Sequence, residues 1–227
     1  MNVRENFEEG LVSIIIPTHN RASMLSETIL SIFDQTYNKI ELLVIDDNST
    51  DNTEHVVKEL ISKSNLYRFV YLKSTKKGGQ CARNMGLLHS HGEYIQFFDD
   101  DDIMTVDHVE CKVNALVKNP EAGFVTCNLM YFCDKISNIV SERCIDSINH
   151  NVESHVLAYA FTTAHYCCRR SAITKIGLWN ENLLKLQDFG YFHRLFFNNI
   201  DGFYLYDKLV LMRKHPYNIS SNRSKSF

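Results

Sequence analysis

Glu41-Leu-Leu-Val-Ile-Asp-Asp-Asn-Ser-Thr-Asp-Asn-Thr53 is the stretch on which the fold turns. Ile40–Ile45 is apolar except for Glu41, too continuous for a strand with one wet face, and it ends abruptly in two carboxylates. Ser49 or Asp51 can cap a following helix, since Glu54 stands three residues after Asp51 and Val56, Val57, Leu60 and Ile61 recur at helical spacing. A strand, a polar turn and an amphipathic helix make one βα unit of a mostly parallel sheet.

The same unit recurs on both sides. Val12–Ile16 predicts a strand ended by Pro17, and Met24, Leu25, Ile29, Ile32 and Phe33 mark the apolar stripe of a helix over Arg21–Gln35. Phe69–Leu72 predicts a third strand, after which Lys76-Lys77-Gly78-Gly79 opens a helix over Gln80–His89. Tyr94–Phe98 predicts a fourth, apolar except for Gln96 and ending in Asp99-Asp100-Asp101-Asp102. A helix over Val106–Val117 then turns Val109, Val113, Leu116 and Val117 inward. Beyond Pro120, Phe124–Phe132 reads as a strand, Asp134–Asn151 as polar and irregular, and Phe161–Arg169 as extended. Ser171–Ile176 and Asp188–Asn198 read as helices, Tyr204–Met212 as a last strand, and Arg213 opens a basic, polar tail. With no repeats or linkers, the 227 residues fit one domain.

Composition narrows the function. A net charge of −3 argues against a nucleic-acid partner, because such domains carry a clustered Lys/Arg excess. No window approaches the roughly 18 to 20 apolar residues of a membrane span, and the polar, acidic Met1–Gly10 does not read as a signal peptide. The 7 Cys are odd in number and form no C-x-x-C pair, so reduced packing thiols are expected, Cys167-Cys168 included. The expected location is cytoplasmic.

Three strands end in polar sequence, at Pro17-Thr18-His19-Asn20-Arg21, Asp46-Asp47-Asn48 and Asp99–Asp102, and in an open α/β sheet such ends converge on the ligand. Four consecutive carboxylates repel one another unless protons, cationic side chains or a metal relieve them. Mg²⁺ or Mn²⁺ explains them most simply; the alternative is a solvent-facing cap for a helix starting near Thr105. Asp46 or Asp47 suits a base N–H or a ribose hydroxyl, or else merely turns the chain. Arg83, one turn into the helix after Gly78-Gly79, suits a phosphate or base oxygen, or else is a solvated surface charge.

Val12-Ser-Ile-Ile-Ile-Pro-Thr-His-Asn-Arg21, Glu41–Thr53, Gly79-Gln-Cys-Ala-Arg-Asn-Met-Gly86 and Gly92-Glu-Tyr-Ile-Gln-Phe-Phe-Asp-Asp-Asp-Asp102 resemble, in order and spacing, the family 2 glycosyltransferases of GT-A fold. The likeness continues more weakly through Cys168–Ala172, Ile176–Glu181, Gln187-Asp188 and Arg213-Lys-His215. It implies an α/β fold: a Rossmann-like, mostly parallel central sheet flanked by helices. In that frame residues 11–213 form the glycosyltransferase domain, 11–102 its nucleotide-sugar half, 103–213 its acceptor and base half, and 214–227 a basic polar tail.

The resemblance also implies roles. Pro17, Thr18, Asn20, Arg21, Asp46, Asp47, Arg83, Asp99 and Asp100 would hold the nucleotide, and Asp101, with His215, a divalent Mn²⁺ or Mg²⁺. Asp188 would be the general base, with Glu181 its rival. Gln187 departs from the acidic residue usual before the base, which removes one like charge and should leave the pKa of Asp188 less raised. Trp179 could stack on a sugar, although packing is the commoner role of a lone aromatic.

The implied reaction is inverting transfer from a nucleoside-diphosphate sugar, a UDP-sugar foremost, to a saccharide or lipid-linked saccharide of a bacterial surface polysaccharide. A nucleotide-sugar-binding subunit without turnover is the alternative. A sugar nucleotidyltransferase would need a basic, glycine-rich loop after the first strand, and Pro17-Thr18-His19-Asn20 is not one. Contact of Arg213, Lys214, Arg223 and Lys225 with the inner face of the plasma membrane stays open, since short basic tails are more often solvated.

Overall fold

The computed structural model describes residues 3, 6–133, 135–143 and 162–214. Three βα units and a fourth strand come first: β1 (Glu8–Thr18), α1 (Ala22–Phe33), β2 (Ile40–Asp46), α2 (Thr53–Lys63), β3 (Arg68–Lys73), α3 (Gly79–His89) and β4 (Gly92–Phe97), then a two-residue β5 (Ile103–Met104) and α4 (His108–Lys118). The second half holds β6 (Phe124–Phe132), β7 (Ile139–Arg143), a 3₁₀ turn (Thr163–His165), β8 (Cys167–Arg169), α5 (Arg170–Ile176), α6 (Gln187–Phe197) and β9 (Gly202–Arg213). The described strands form one sheet in the order β3-β2-β1-β4-β8-β6-β9-β5, with β7 on β6. Its long ladders, β1 with β2, β2 with β3 and β6 with β9, are parallel, and short antiparallel ladders through β8 join the two halves.

Both faces of β1 and β2 are covered, which is why their sequences do not alternate. Val12, Ile14, Ile16, Leu42 and Val44 pack into one core with Leu25 and Ile29 of α1 and Val57 of α2. Ile15, Leu43 and Ile45 enter the other with Ala82 and Leu87 of α3 and the aromatic side chains of α6. Each fully buried Ile or Leu contributes about 1.5–3 kcal/mol.

Four readings of the sequence change. Pro17 lies inside β1, opposite Ile45, but its nitrogen faces the β4 side beyond the last β4 pair at Ile15, so its missing N–H costs no bond of that ladder. Val117 is exposed, because Lys112 occupies the inward stripe of α4 with Val109, Val113 and Leu116. That buried ammonium is satisfied by Gln96 Oε1 and the carbonyls of Ala164 and His165 at 2.9–3.1 Å. The stretch after Phe132 is not all irregular: β7 turns back onto β6. Arg213 closes β9 and is buried, so it does not open a tail. Among the described residues no helix is long and apolar enough to cross a membrane.

Candidate functional site

The carboxyl ends of β1, β2 and β4 lie side by side. Thr18 pairs with Asp46 at the end of the β1–β2 ladder, the Asp47 N–H donates to the Thr18 carbonyl at 2.8 Å, and the Phe98 N–H donates to Ile15 at 3.0 Å. The three polar strand ends therefore share one edge, as read from the sequence.

The acidic run is held by cations and hydroxyls, each Asp differently. Arg21 Nη1 reaches Asp100 Oδ1 at 2.9 Å and Asp101 Oδ2 at 2.8 Å, while Thr18 Oγ1 donates to Asp100 Oδ2 at 2.7 Å. Arg83 Nη2 donates to one oxygen of Asp99 and Thr163 Oγ1 to the other, both at 2.8 Å. Asp102 faces inward, where it accepts the Arg213 N–H at 3.0 Å. Arg213 also donates from Nε to the Asp101 carbonyl at 3.1 Å and from Nη2 to Glu27 at 2.7 Å, so β9 clasps the acidic loop. Burial pushes the Asp100 carboxyl up to about 6 against the pull of Arg21, and pushes Asp102 up as well. The run is no cap: α4 begins only at His108, and no side chain caps it.

The two carboxylates after β2 differ as sharply. Asp46 is fully buried, with its oxygens taken by the Ser49 N–H and the Tyr71 hydroxyl. Asp47 accepts the Gly78 N–H on Oδ2 at 2.8 Å, whereas its buried Oδ1 has no hydrogen-bond partner among the described residues. Asn20, in the left-handed region at φ 53°, turns its side-chain oxygen to the Thr50 and Asp51 amides and so ties the two loops together. Pro17 is half-buried just before Thr18.

Across the edge, α6 begins at Gln187, after Leu186 at φ 54°, and no side chain caps it. Asp188 thus lies in the first helical turn, where the partial positive charge of the helix start favours a carboxylate; it is not the cap. Burial, foremost, raises its carboxyl to about 7, with Asp99 adding to the rise and Arg83 opposing it. The like charge that Gln187 does not supply comes from Asp99.

Glu181 is tied down instead. It accepts Lys76 Nζ at 2.6 Å and Asn84 Nδ2 at 3.1 Å, and these bonds hold its carboxyl below the usual range, which suits a base poorly. Trp179 is buried, stacked on Tyr191 with centroids 4.0 Å apart, and the Arg83 guanidinium lies 4.9 Å over its ring. Packing is its role here. His215 lies outside the described residues.

Among the described residues no three His, Cys, Asp or Glu side chains group as a metal cage. The donor types still suit a hard divalent ion: Asp99 and Asp101 carry carboxylate oxygens, held here by Arg83, Thr163 and Arg21, and Mg²⁺ or Mn²⁺ takes one or two such oxygens, filling its shell with water and substrate phosphate. Thr163, Tyr71 and Gln80 escaped the sequence reading. Thr163 sits in a stretch legible only as extended, and nothing in the spacing ties it to Asp99, 64 residues away.

Known proteins resemble this chain in sequence and in fold. An uncharacterized glycosyltransferase of Haemophilus influenzae is 36% identical over 128 residues, 56% of this chain and 50% of its own. The UDP-Glc:alpha-D-GlcNAc-diphosphoundecaprenol beta-1,3-glucosyltransferase WfgD of Escherichia coli is 39% identical over 113 residues, 49% of this chain and 43% of its own. The chain thus spans half or less of the length of these two curated relatives. The structure of S. aureus TarS residues 1–349 with UDP-GlcNAc superposes at a TM-score of 0.72 and 20% identity, covering 96% of this chain and 61% of that 1–349 chain. The mannosyltransferase PcManGT of Pyrobaculum calidifontis, with GDP-Man and Mn²⁺, does so at 0.71 and 18%, covering 91% of this chain and 58% of its own. These two likenesses show the fold, a single α/β domain of GT-A type. The profile of Glycosyl transferase family 2 matches residues 13–211, nearly the whole chain, and the chain belongs to that family.

Proposed function

We propose that the chain is an inverting glycosyltransferase that moves one sugar from a nucleoside-diphosphate donor, a UDP-sugar foremost, to a saccharide or lipid-linked saccharide, with Asp188 as general base. One observation carries the reading: a carboxyl raised to about 7 faces the Arg83–Asp99 pair across the edge where three strands end. A base with that proton affinity suits transfer near neutral pH. The names of relatives agree, since WfgD uses UDP-Glc on a diphosphoundecaprenol-linked sugar and TarS was solved with UDP-GlcNAc. A lipid-linked acceptor would bring the chain to the inner face of the plasma membrane.

In this mechanism Asp188 takes the proton of the acceptor hydroxyl as its oxygen attacks the anomeric carbon. The bond from that carbon to the diphosphate oxygen breaks on the opposite face, its electron pair leaves on the β-phosphate, and the carbon inverts. Arg21 and Arg83 set positive charge beside the departing diphosphate. Asp47, whose Oδ1 keeps free acceptor capacity, suits a base N–H better than Asp46 does. A divalent ion held by Asp101 with Asp99 would, when bound, neutralise the diphosphate charge.

A thermal-shift panel of UDP, GDP, CDP and dTDP sugars, each with and without Mn²⁺, tests donor binding, because a ligand bound only by the folded chain raises its melting temperature. UDP-sugars with Mn²⁺ should give the largest shift. Nucleotide release should then fall on Asp101→Ala and on Asp188→Ala; unchanged turnover in both would overturn the site. Tight UDP binding without release or transfer would instead support a nucleotide-sugar-binding subunit.

A further inference from the structure

α6 carries the base but starts without a side-chain cap, after a leucine held in a left-handed conformation. Something else has to fix its first turn. Gln80, buried in the first turn of α3, donates from Nε2 to the Glu181 carbonyl at 3.0 Å. Its Oε1 accepts Gln187 Nε2 at 2.9 Å, and Gln187 Oε1 accepts Arg83 Nη1 at 3.4 Å.

The direction of this chain is forced. A carbonyl at one end can only accept and a guanidinium at the other can only donate, so neither amide can flip without setting like atoms together. A carboxylate at 187 cannot donate, and it would turn an oxygen toward Gln80 Oε1. The acid expected before the base is thus incompatible with Gln80, and the two glutamines form a matched pair. The two glycines at the start of α3 leave them room: a Cβ on Gly78, at φ 112°, would fall 2.9 Å from the Gln80 amide, and one on Gly79 would fall 3.1 Å from Arg83 Nη1.

We infer that Gln80 and Gln187 are positioning residues for Asp188, a one-way amide relay that fixes the start of α6 against the first turn of α3. The inference rests on the reading of Asp188 as base. Neither glutamine has to touch substrate; they hold the base in line with a donor bound on the other half of the molecule, and small misplacements of reacting groups cost large factors in rate.

The test is a double-variant cycle with Gln80→Met, Gln187→Met and both together, in the full chain. Each single variant should lower kcat for UDP release about tenfold, and the pair should lose no more than either alone, because one broken link opens the relay. UDP affinity by calorimetry should stay within about twofold, a split that a general loosening of the fold would not produce. Hydrogen exchange at residues 187–190 should quicken in Gln80→Met, although that change lies on another helix. Wild-type kcat and exchange in Gln80→Met, multiplying losses in the pair, or UDP affinity falling in step with kcat would each overturn the relay. Asp188→Asn runs alongside: if it keeps full turnover the base reading fails, whereas a dead Asp188→Asn with wild-type glutamine variants fails the relay alone.

Discussion

Asp188 is raised by burial and by Asp99, and Arg83 offsets only part of the rise. The proposed base works only when deprotonated, so kcat/KM should fall as pH drops below about 7, with the acid limb near that value in the wild-type rate profile. Asp188→Asn should cost 10²- to 10⁴-fold in kcat, roughly what a positioned base supplies, with UDP affinity unchanged by calorimetry. Gln187→Glu places a like charge beside the base, which should move the acid limb up by about one pH unit, and breaks the link to Gln80, which should lower kcat about tenfold. The raised pKa also bears on stability. The folded chain holds this proton more tightly than the unfolded one, whose ordinary value is 3.8, so the contribution is full below that value and is lost as pH rises toward about 7. Urea midpoints at pH 5 and pH 7 should therefore lie closer together in Asp188→Asn than in the wild type, where Asp100 and Asp102 contribute in the same direction. The family resemblance singled out Asp188 as the candidate base; its proton affinity was not legible in the sequence, because burial and a carboxylate 89 positions upstream set it.

At the scale of elements, close approach and capping decide more than helix propensity. α3 lies flat on β1 and β2 because Gly86 has no side chain: a Cβ there would meet Ile15 Cγ2 at 2.4 Å and Ile45 Cγ1 at 3.2 Å. Gly86→Ala should destabilise by about 1–3 kcal/mol, the ordinary cost of overpacking, read as a lower urea midpoint at unchanged m-value. Leu186 holds a left-handed conformation that costs a branched side chain about 1–2 kcal/mol and caps nothing. Leu186→Asn should raise stability by about 0.5–1 kcal/mol, since asparagine tolerates that conformation and can accept a first-turn N–H. β1 to β4 with their helices were readable because each strand runs apolar into a polar end. β5 and β7 were not: one has two residues, and the other pairs with β6 through a sequence that looks irregular.

Across the whole molecule, Arg213 ties the two halves of the sheet together: the last residue of β9 holds Asp101 and Asp102 of the loop after β4 and Glu27 of α1. Its guanidinium also lies 4.6 Å over the Phe132 ring. Arg213→Ala should cost about 1–3 kcal/mol, the penalty for stranding hydrogen-bond partners, and should weaken the thermal shift given by UDP with Mn²⁺. The sequence by itself determined the βα half of the sheet and the shared polar edge, because periodicity and strand-end chemistry are local and survive without coordinates, and its ordered motifs carried the family resemblance. Tertiary structure decided which carboxylates are spent on the fold. Asp46, Asp100 and Asp102 are buried and bonded, Glu181 is salt-bridged, Asp47 keeps a spare oxygen, and Asp188 is poised near neutrality. Those differences arise from desolvation and from partners far away in the chain, and neither is written in the spacing of residues.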